Sequence, residues 1–169
     1  MLHICYIFFL ICNFTDWSVK LFEKNINNII NIIDEDLLYN NINNNINNNN
    51  LNINNNKFNI YYEKRIKSQK RIISKIQKLK IPYDVYGMRI IYNDNTNYYN
   101  TKFAYIIKNI ICDNFNTLEF IYDDYIQKPK QNNYQSLHIY VVTNLLIEIQ
   151  IRNSNMHNIS VNGSASHYY

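Results

Sequence analysis

Two β-prone runs, residues 136–143 and 145–152, are separated by one residue, Asn144. A connection that short joins only antiparallel neighbours, so it fixes two strands of the fold in both order and direction. The second run alternates strictly. Ile147, Ile149 and Ile151 share one face, and Glu148, Gln150 and Arg152 share the other. A strand with one aliphatic face and one face carrying an acid, an amide and a guanidinium is half core and half site.

The residues before this hairpin supply the rest of a sheet. Residues 58–62 are β-prone. The run 64–80 holds eight Lys and Arg and no acid, with Ile72, Ile73, Ile76 and Leu79 at helical spacing, which predicts an amphipathic basic helix stopped by Pro82. Residues 88–92 read as a strand, 98–112 as a helix and 118–122 as a strand. Asn153, Ser154 and Asn155 are good N-caps for a helix that carries Met156 and Ile159 and ends near Gly163. Strands interleaved with helices and closed by a hairpin predict an α/β (α+β) fold, with a mixed sheet of about five strands flanked by helices.

Residues 1–56 differ in kind. The apolar run 4–12 falls far short of the roughly 20 residues that span a bilayer, so no stable membrane insertion is expected. It has the length of a signal-peptide core. Residues 1–20 thus read as a leader or a short buried helix. Residues 21–56 read as an Asn-rich low-complexity segment, largely disordered, in which 21–38 has the Ile and Leu content to form a helix. An apolar start followed by an Asn-rich tract is similar to the two-part leader of plastid-targeted proteins, although Asp34, Glu35 and Asp36 are out of keeping with it. The domain proper is expected from residue 57 to 169.

Charge divides at the same place. Residues 1–56 sum to about −3 and residues 57–169 to about +7, within a total of +4. A basic domain suits an anionic partner: a nucleotide, a nucleic acid or a membrane surface. The 64–80 run alone reads first as a solvated face or a weak RNA-binding patch, and functionally as a polyphosphate clamp. Three cysteines with no CxxC pair argue against a disulfide framework or a zinc site.

Four motifs in order go further. Residues 124–138, DYIQKPKQNNYQSLH, lie against a DYI-x-x-PK-x-NGYQSLH pattern. IEIQIR at 147–152 is followed by Met156-His157 and by GSASH at 163–167. Arg65-x-Lys67 precedes Lys75, and DVYGMR stands at 84–89. From about residue 58 to 168 the chain resembles the (p)ppGpp synthetase domain of RelA/SpoT proteins. The resemblance implies a nucleotidyltransferase-like fold and transfer of pyrophosphate from ATP to the 3′-hydroxyl of GTP or GDP, with Mg²⁺ as cofactor. Carried over by motif, Asp84 and Glu148 match the Mg²⁺-holding acids, and Glu148 the activator of the attacking hydroxyl. Arg65, Lys67, Lys75 and Arg89 match ATP-binding positions. Lys130, Asn132, Tyr134 and His138 match the acceptor-nucleotide site, with Tyr134 stacking on guanine. Gln150 and Arg152 match supporting positions.

The chemistry suits these residue types. Two triphosphates repel, so bringing them together needs many cations. The transfer itself needs positioning and charge neutralisation. The chain departs from the pattern at Arg71 (Ser in the family), Asn133 (Gly), Val161 (Glu) and Tyr168 (Trp). An adenine-stacking arginine has no counterpart beyond Lys102. Asp123 and Asp124 match synthetase-only members, though Ile121 replaces their leading Glu. No His-Asp pair of the family's hydrolase type is present. Two other functions remain open on the same fold: a catalytically degenerate guanine-nucleotide-binding domain, and a basic RNA-binding module, with the ribosome or RNA as partner. GTP versus GDP preference and oligomeric state are not legible.

Overall fold

The computed structural model describes residues 16–47, 59–93 and 101–163, with the side chains of Asp16 and of residues 39–47 left out. In chain order the elements are α1 (Asp16–Asn47), β1 (Asn59–Ile66), α2 (Gln69–Gln77), β2 (Tyr86–Asn93) and α3 (Lys102–Asn114). A 3-10 turn (Glu119–Ile121) follows, then β3 (Asp123–Asp124), β4 (Leu137–Val142), β5 (Leu146–Asn153) and α4 (Ser154–Asn162).

The five strands form one mixed sheet in the order β1-β2-β5-β4-β3. Only the β2–β5 pair is parallel. The expected hairpin is there: Val142 pairs with Leu146, and Thr143 and Leu145 close the turn around Asn144. The strict alternation holds. Ile147, Ile149 and Ile151 are fully buried on one face, together with Met88, Ile90 and Tyr92 of β2 and Leu137, Ile139 and Val141 of β4.

All four described α-helices contribute to this core, α2 through Ile72 and α4 through Met156, and α3 and α1 most. α3 contributes Phe103, Ala104, Ile107, Ile110 and Ile111. α1 contributes Phe22, Ile26, Ile29 and Ile33, spaced to form one stripe. Burying each such side chain stabilises the fold by roughly 1.5–3 kcal/mol. Polar contacts tie α1 down at its margins: Tyr62 Oη donates to Asp34 Oδ1 at 2.6 Å, and Asn114 Nδ2 to Asp36 Oδ2 at 3.0 Å. α1 thus packs into the same core as the strands, and residues 16–47, of which 21–47 belong to the segment expected to be largely disordered, are helical, with Ile residues among the Asn recurring at helical period. The apolar run 4–12 and residues 48–58 lie outside the described residues.

Two further expectations are corrected. The basic run does not start as a helix. Residues 64–66 continue β1, in register with β2 through Lys64↔Met88, Arg65↔Gly87 and Ile66↔Tyr86, and α2 begins only at Gln69. Cross-strand pairing wins there over helix propensity. α2 also ends at Gln77, before Pro82. Leu79, at φ 56°, takes the left-handed position after the helix, and Lys80 N–H bonds back to the Lys75 carbonyl at 3.0 Å. Within 118–122, expected as a strand, Glu119–Ile121 form a 3-10 turn with Phe120 exposed, and the fifth strand is the short β3 beside it.

The expected cap of the last helix is present: Asn153 Oδ1 accepts from Met156 N–H at 2.8 Å. None of the described helices is long and apolar enough to cross a membrane.

Candidate functional site

The second face of the sheet carries the polar side chains in two cross-strand rows. Register places Arg65, Gly87, Glu148 and Tyr140 side by side. The next row holds Glu63, Arg89, Gln150, His138 and Asp123. α2 and the loop between β3 and β4 wall off a cavity of about 1000 Å³ above these rows. That is the upper end of the size range of small-molecule sites. Ten of the residues singled out from the sequence line it: Arg65, Lys67, Lys75, Asp84, Lys130, Asn132, Tyr134, His138, Glu148 and Gln150.

Glu148 is buried at the centre. Its Oε1 accepts from Tyr140 Oη at 3.1 Å and lies 3.1 Å from His138 Nδ1, while its Oε2 accepts from Gln150 Nε2 at 2.9 Å. His138 Nε2 lies 2.8 Å from Tyr134 Oη. In the neutral ring, one tautomer satisfies both contacts: Nδ1–H donates to Glu148 and Nε2 accepts from Tyr134. Burial pushes the Glu148 carboxyl up. The bond to His138, the charge of His138 and the Tyr140 hydroxyl outweigh this and Asp84's opposing charge, and hold it below the usual range.

Asp84 stands in the turn before β2. Lys67 Nζ donates to its Oδ2, and Lys75 Nζ donates to its Oδ1 at 2.9 Å. Burial raises the Asp84 carboxyl, but these two ammonium groups bring it below its ordinary value. Lys67 is itself buried, and desolvation pushes its ammonium down despite Asp84. The acids therefore face one cavity with cations already gathered around them.

The loop from residue 125 to 136 supplies the opposite wall. Asn133 adopts φ 61°, the backbone the family's Gly would take, and closes a turn by donating to the Lys130 carbonyl at 2.8 Å. Lys130 Nζ lies 4.1 Å above the Tyr125 ring and 5.3 Å from that of Tyr134. Tyr134 is largely covered, with Tyr125 and His138 edge-on to it. The Tyr125 hydroxyl is pushed up to about 12 by burial, Asp123 and Glu148.

Two expected site residues stay outside the cavity. Arg89 lies in the row of Gln150 and His138 but does not line the cavity; its Nη1 donates to Glu63 Oε2 at 3.0 Å and its Nε to Gln150 Oε1 at 3.3 Å. Arg152 is fully buried beside α4 and donates to His157 Nδ1 at 3.0 Å. Arg152 lies beyond Gln150 along β5, past the two rows that line the cavity. Conversely, Arg71, Ser74, Tyr125 and Tyr140 line the cavity and were not among the candidates. For Tyr140 a signal existed: the hairpin at Asn144 puts it directly across from Glu148. Val161 lies half-exposed on α4, outside the cavity.

A model described as a region found in RelA/SpoT proteins matches residues 64–169. The chain belongs to the RelA/SpoT family. This family member is 32% identical over 164 residues to a probable guanosine-3′,5′-bis(diphosphate) 3′-pyrophosphohydrolase of Mycoplasma pneumoniae, covering 90% of this chain and 21% of that protein. It is 35% identical over 88 residues to a GTP pyrophosphokinase of Haemophilus influenzae, covering 51% of this chain and 11% of that one. It spans about a fifth or less of the length of such curated relatives. Small alarmone synthetase 1 of Bacillus subtilis, solved bound to its product pppGpp, superposes with a TM-score of 0.52 at 23% identity, covering 64% of this chain and 62% of that one. Small alarmone synthetase 2 of the same organism gives 0.51 at 27% identity over the same shares. The mixed five-stranded sheet flanked by helices is the fold of these synthetases.

Proposed function

We propose that this chain is a (p)ppGpp synthetase that moves pyrophosphate from ATP to the 3′-hydroxyl of GTP or GDP. The observation that carries the reading is the placement of Glu148. It is a buried, ionised carboxylate on the floor of a cavity that also holds Asp84, four cations on the α2 side and the 125–136 loop on the other. Some relatives are named as hydrolases and one as a GTP pyrophosphokinase, and the latter supports the transfer reading.

Asp84 and Glu148 suit Mg²⁺, a hard cation that takes one or two carboxylates and completes its shell with phosphate oxygens and water. Gly87 supports the fit. It leaves open the space beside Glu148, where a Cβ would come within 4.0 Å of Oε2. A bound Mg²⁺ supplies charge neutralisation at the donor's phosphates. The chain's own residues do the rest. Lys67 and Lys75 exchange Asp84 for phosphate oxygens when ATP enters. Guanine takes the ring face of Tyr134 now neighboured by Lys130 and frees that ammonium for the acceptor's phosphates. Glu148, held by Tyr140, His138 and Gln150, accepts the 3′-hydroxyl proton. A carboxylate below its usual range is a weak base, so proton transfer accompanies attack of the 3′-oxygen on the β-phosphorus of ATP, while the α–β phosphoanhydride bond breaks and AMP leaves.

The test is incubation with Mg²⁺, labelled ATP and GTP or GDP. A 3′-pyrophosphorylated guanosine nucleotide is expected. Folded protein that yields none refutes the reading and leaves a nucleotide-binding domain.

A further inference from the structure

Arg71 stands out among the cations at the cavity. Lys67 and Lys75 are committed to Asp84, and Lys130 lies over Tyr125. Arg71 lines the same cavity, is solvent-exposed, and makes no side-chain hydrogen bond or ion pair with any described residue. Its place is set by α2. Ile72 is buried in the core, which turns Arg71, Ser74 and Lys75 together into the cavity, one turn of helix apart. Lys75 reaches Asp84 from that face, so Arg71 lies on the Asp84 side and across from the 125–136 loop.

We propose that Arg71 is a binding residue for the polyphosphate chain of the donor nucleotide. This rests on the synthetase reading and names a contact specific to this chain, since the family pattern has Ser at this position. A guanidinium presents a planar fork of donors that matches two phosphate oxygens at once, and it stays charged at any working pH. Arg65, Lys67, Arg71, Lys75 and Lys130 against Asp84 and Glu148 leave the cavity a charge of about +3 by formal count, a field that favours a polyanion. Donor binding in this chain is thereby gripped at the phosphates.

The experiment measures equilibrium binding of ATP, GTP and inorganic tripolyphosphate to the 1–169 chain, with Arg71→Ser and Arg71→Lys beside the parent. Far-ultraviolet circular dichroism and the thermal midpoint check the fold; Arg71 is exposed, so neither moves. Arg71→Ser is expected to weaken ATP and tripolyphosphate by a similar factor, about tenfold or more, with GTP changed far less. Arg71→Lys keeps the charge and loses the fork, and falls between. Three outcomes overturn the proposal: unchanged ATP affinity, an equal loss for GTP, or a loss for ATP with none for tripolyphosphate. Parent protein that does not bind tripolyphosphate overturns it too. Failure of the synthetase reading is seen separately, as absence of the 3′-pyrophosphorylated product while the binding shift persists.

Discussion

Replacing Glu148 by Gln removes one charge and turns one acceptor into a donor, and the surroundings determine the cost. With the amide oxygen at the Oε1 position, the contacts to Tyr140 and His138 are kept, and the new NH₂ meets the NH₂ of Gln150, 2.9 Å away in the parent. Flipping Gln150 does not resolve this. Its Oε1 accepts from Arg89 Nε at 3.3 Å, so a flip sets a donor against the guanidinium. One donor–donor confrontation therefore remains in a buried place, at about 1–3 kcal/mol, partly offset because a neutral amide needs less solvation than a carboxylate. For a chain of this length that lowers the thermal midpoint by roughly 2–10 °C. Loss of a general base costs about 10²–10⁴-fold in rate. The ATP and GTP contacts proposed for Lys67, Lys75, Lys130 and Tyr134 remain, so nucleotide affinity should stay within a few-fold. Initial-rate measurements with labelled ATP, together with a thermal melt and equilibrium binding, read all three quantities. Turnover equal to the parent's would refute the role of Glu148. An unchanged melt would refute the hydrogen-bond network around it.

Three other outcomes are expected. Tyr140→Phe removes the hydroxyl on Glu148 Oε1 and keeps the ring, so the turnover number should fall about tenfold with KM for both nucleotides unchanged; a change confined to KM would refute this positioning role. Ile29→Ala empties a fully buried site on α1 and should cost about 2–5 kcal/mol in urea unfolding; a neutral result would mean α1 is not part of the domain. Asp84 and Glu148 are both held below their ordinary carboxylate values, so the unfolded chain binds more protons and stability rises with pH. That contribution is full above the unfolded value near ~4 and is lost as pH falls through the lower folded values. The pH dependence of the melt should therefore flatten in Glu148→Gln, and an identical slope would contradict the assignment.

Much of the acceptor side was readable from residue order. The hairpin at Asn144 follows from a one-residue gap, and period two then sorts Ile147, Ile149 and Ile151 from Glu148 and Gln150. Asn133 in place of Gly was readable as well, because Asn adopts positive φ at small cost, and it does so at φ 61°. The donor side was less legible. Lys64 to Ile66 have a sequence that suits a helix, and the choice of strand is made by β2 lying alongside.

Local chemistry thus determined which segments are periodic, where turns fall and which motifs place the chain in its family. Those signals lie within a few residues of one another and need no partner. Tertiary structure decided which charges meet. Arg89 and Arg152 carry the same group as Arg71, yet Glu63 claims the first and His157 the second, and both are held outside the cavity by partners that only the packed sheet and α4 bring alongside them. Arg71 reaches the cavity because burial of Ile72 fixes the roll of α2. Pairing and roll depend on residues distant in sequence, and a local reading of the chain does not contain them.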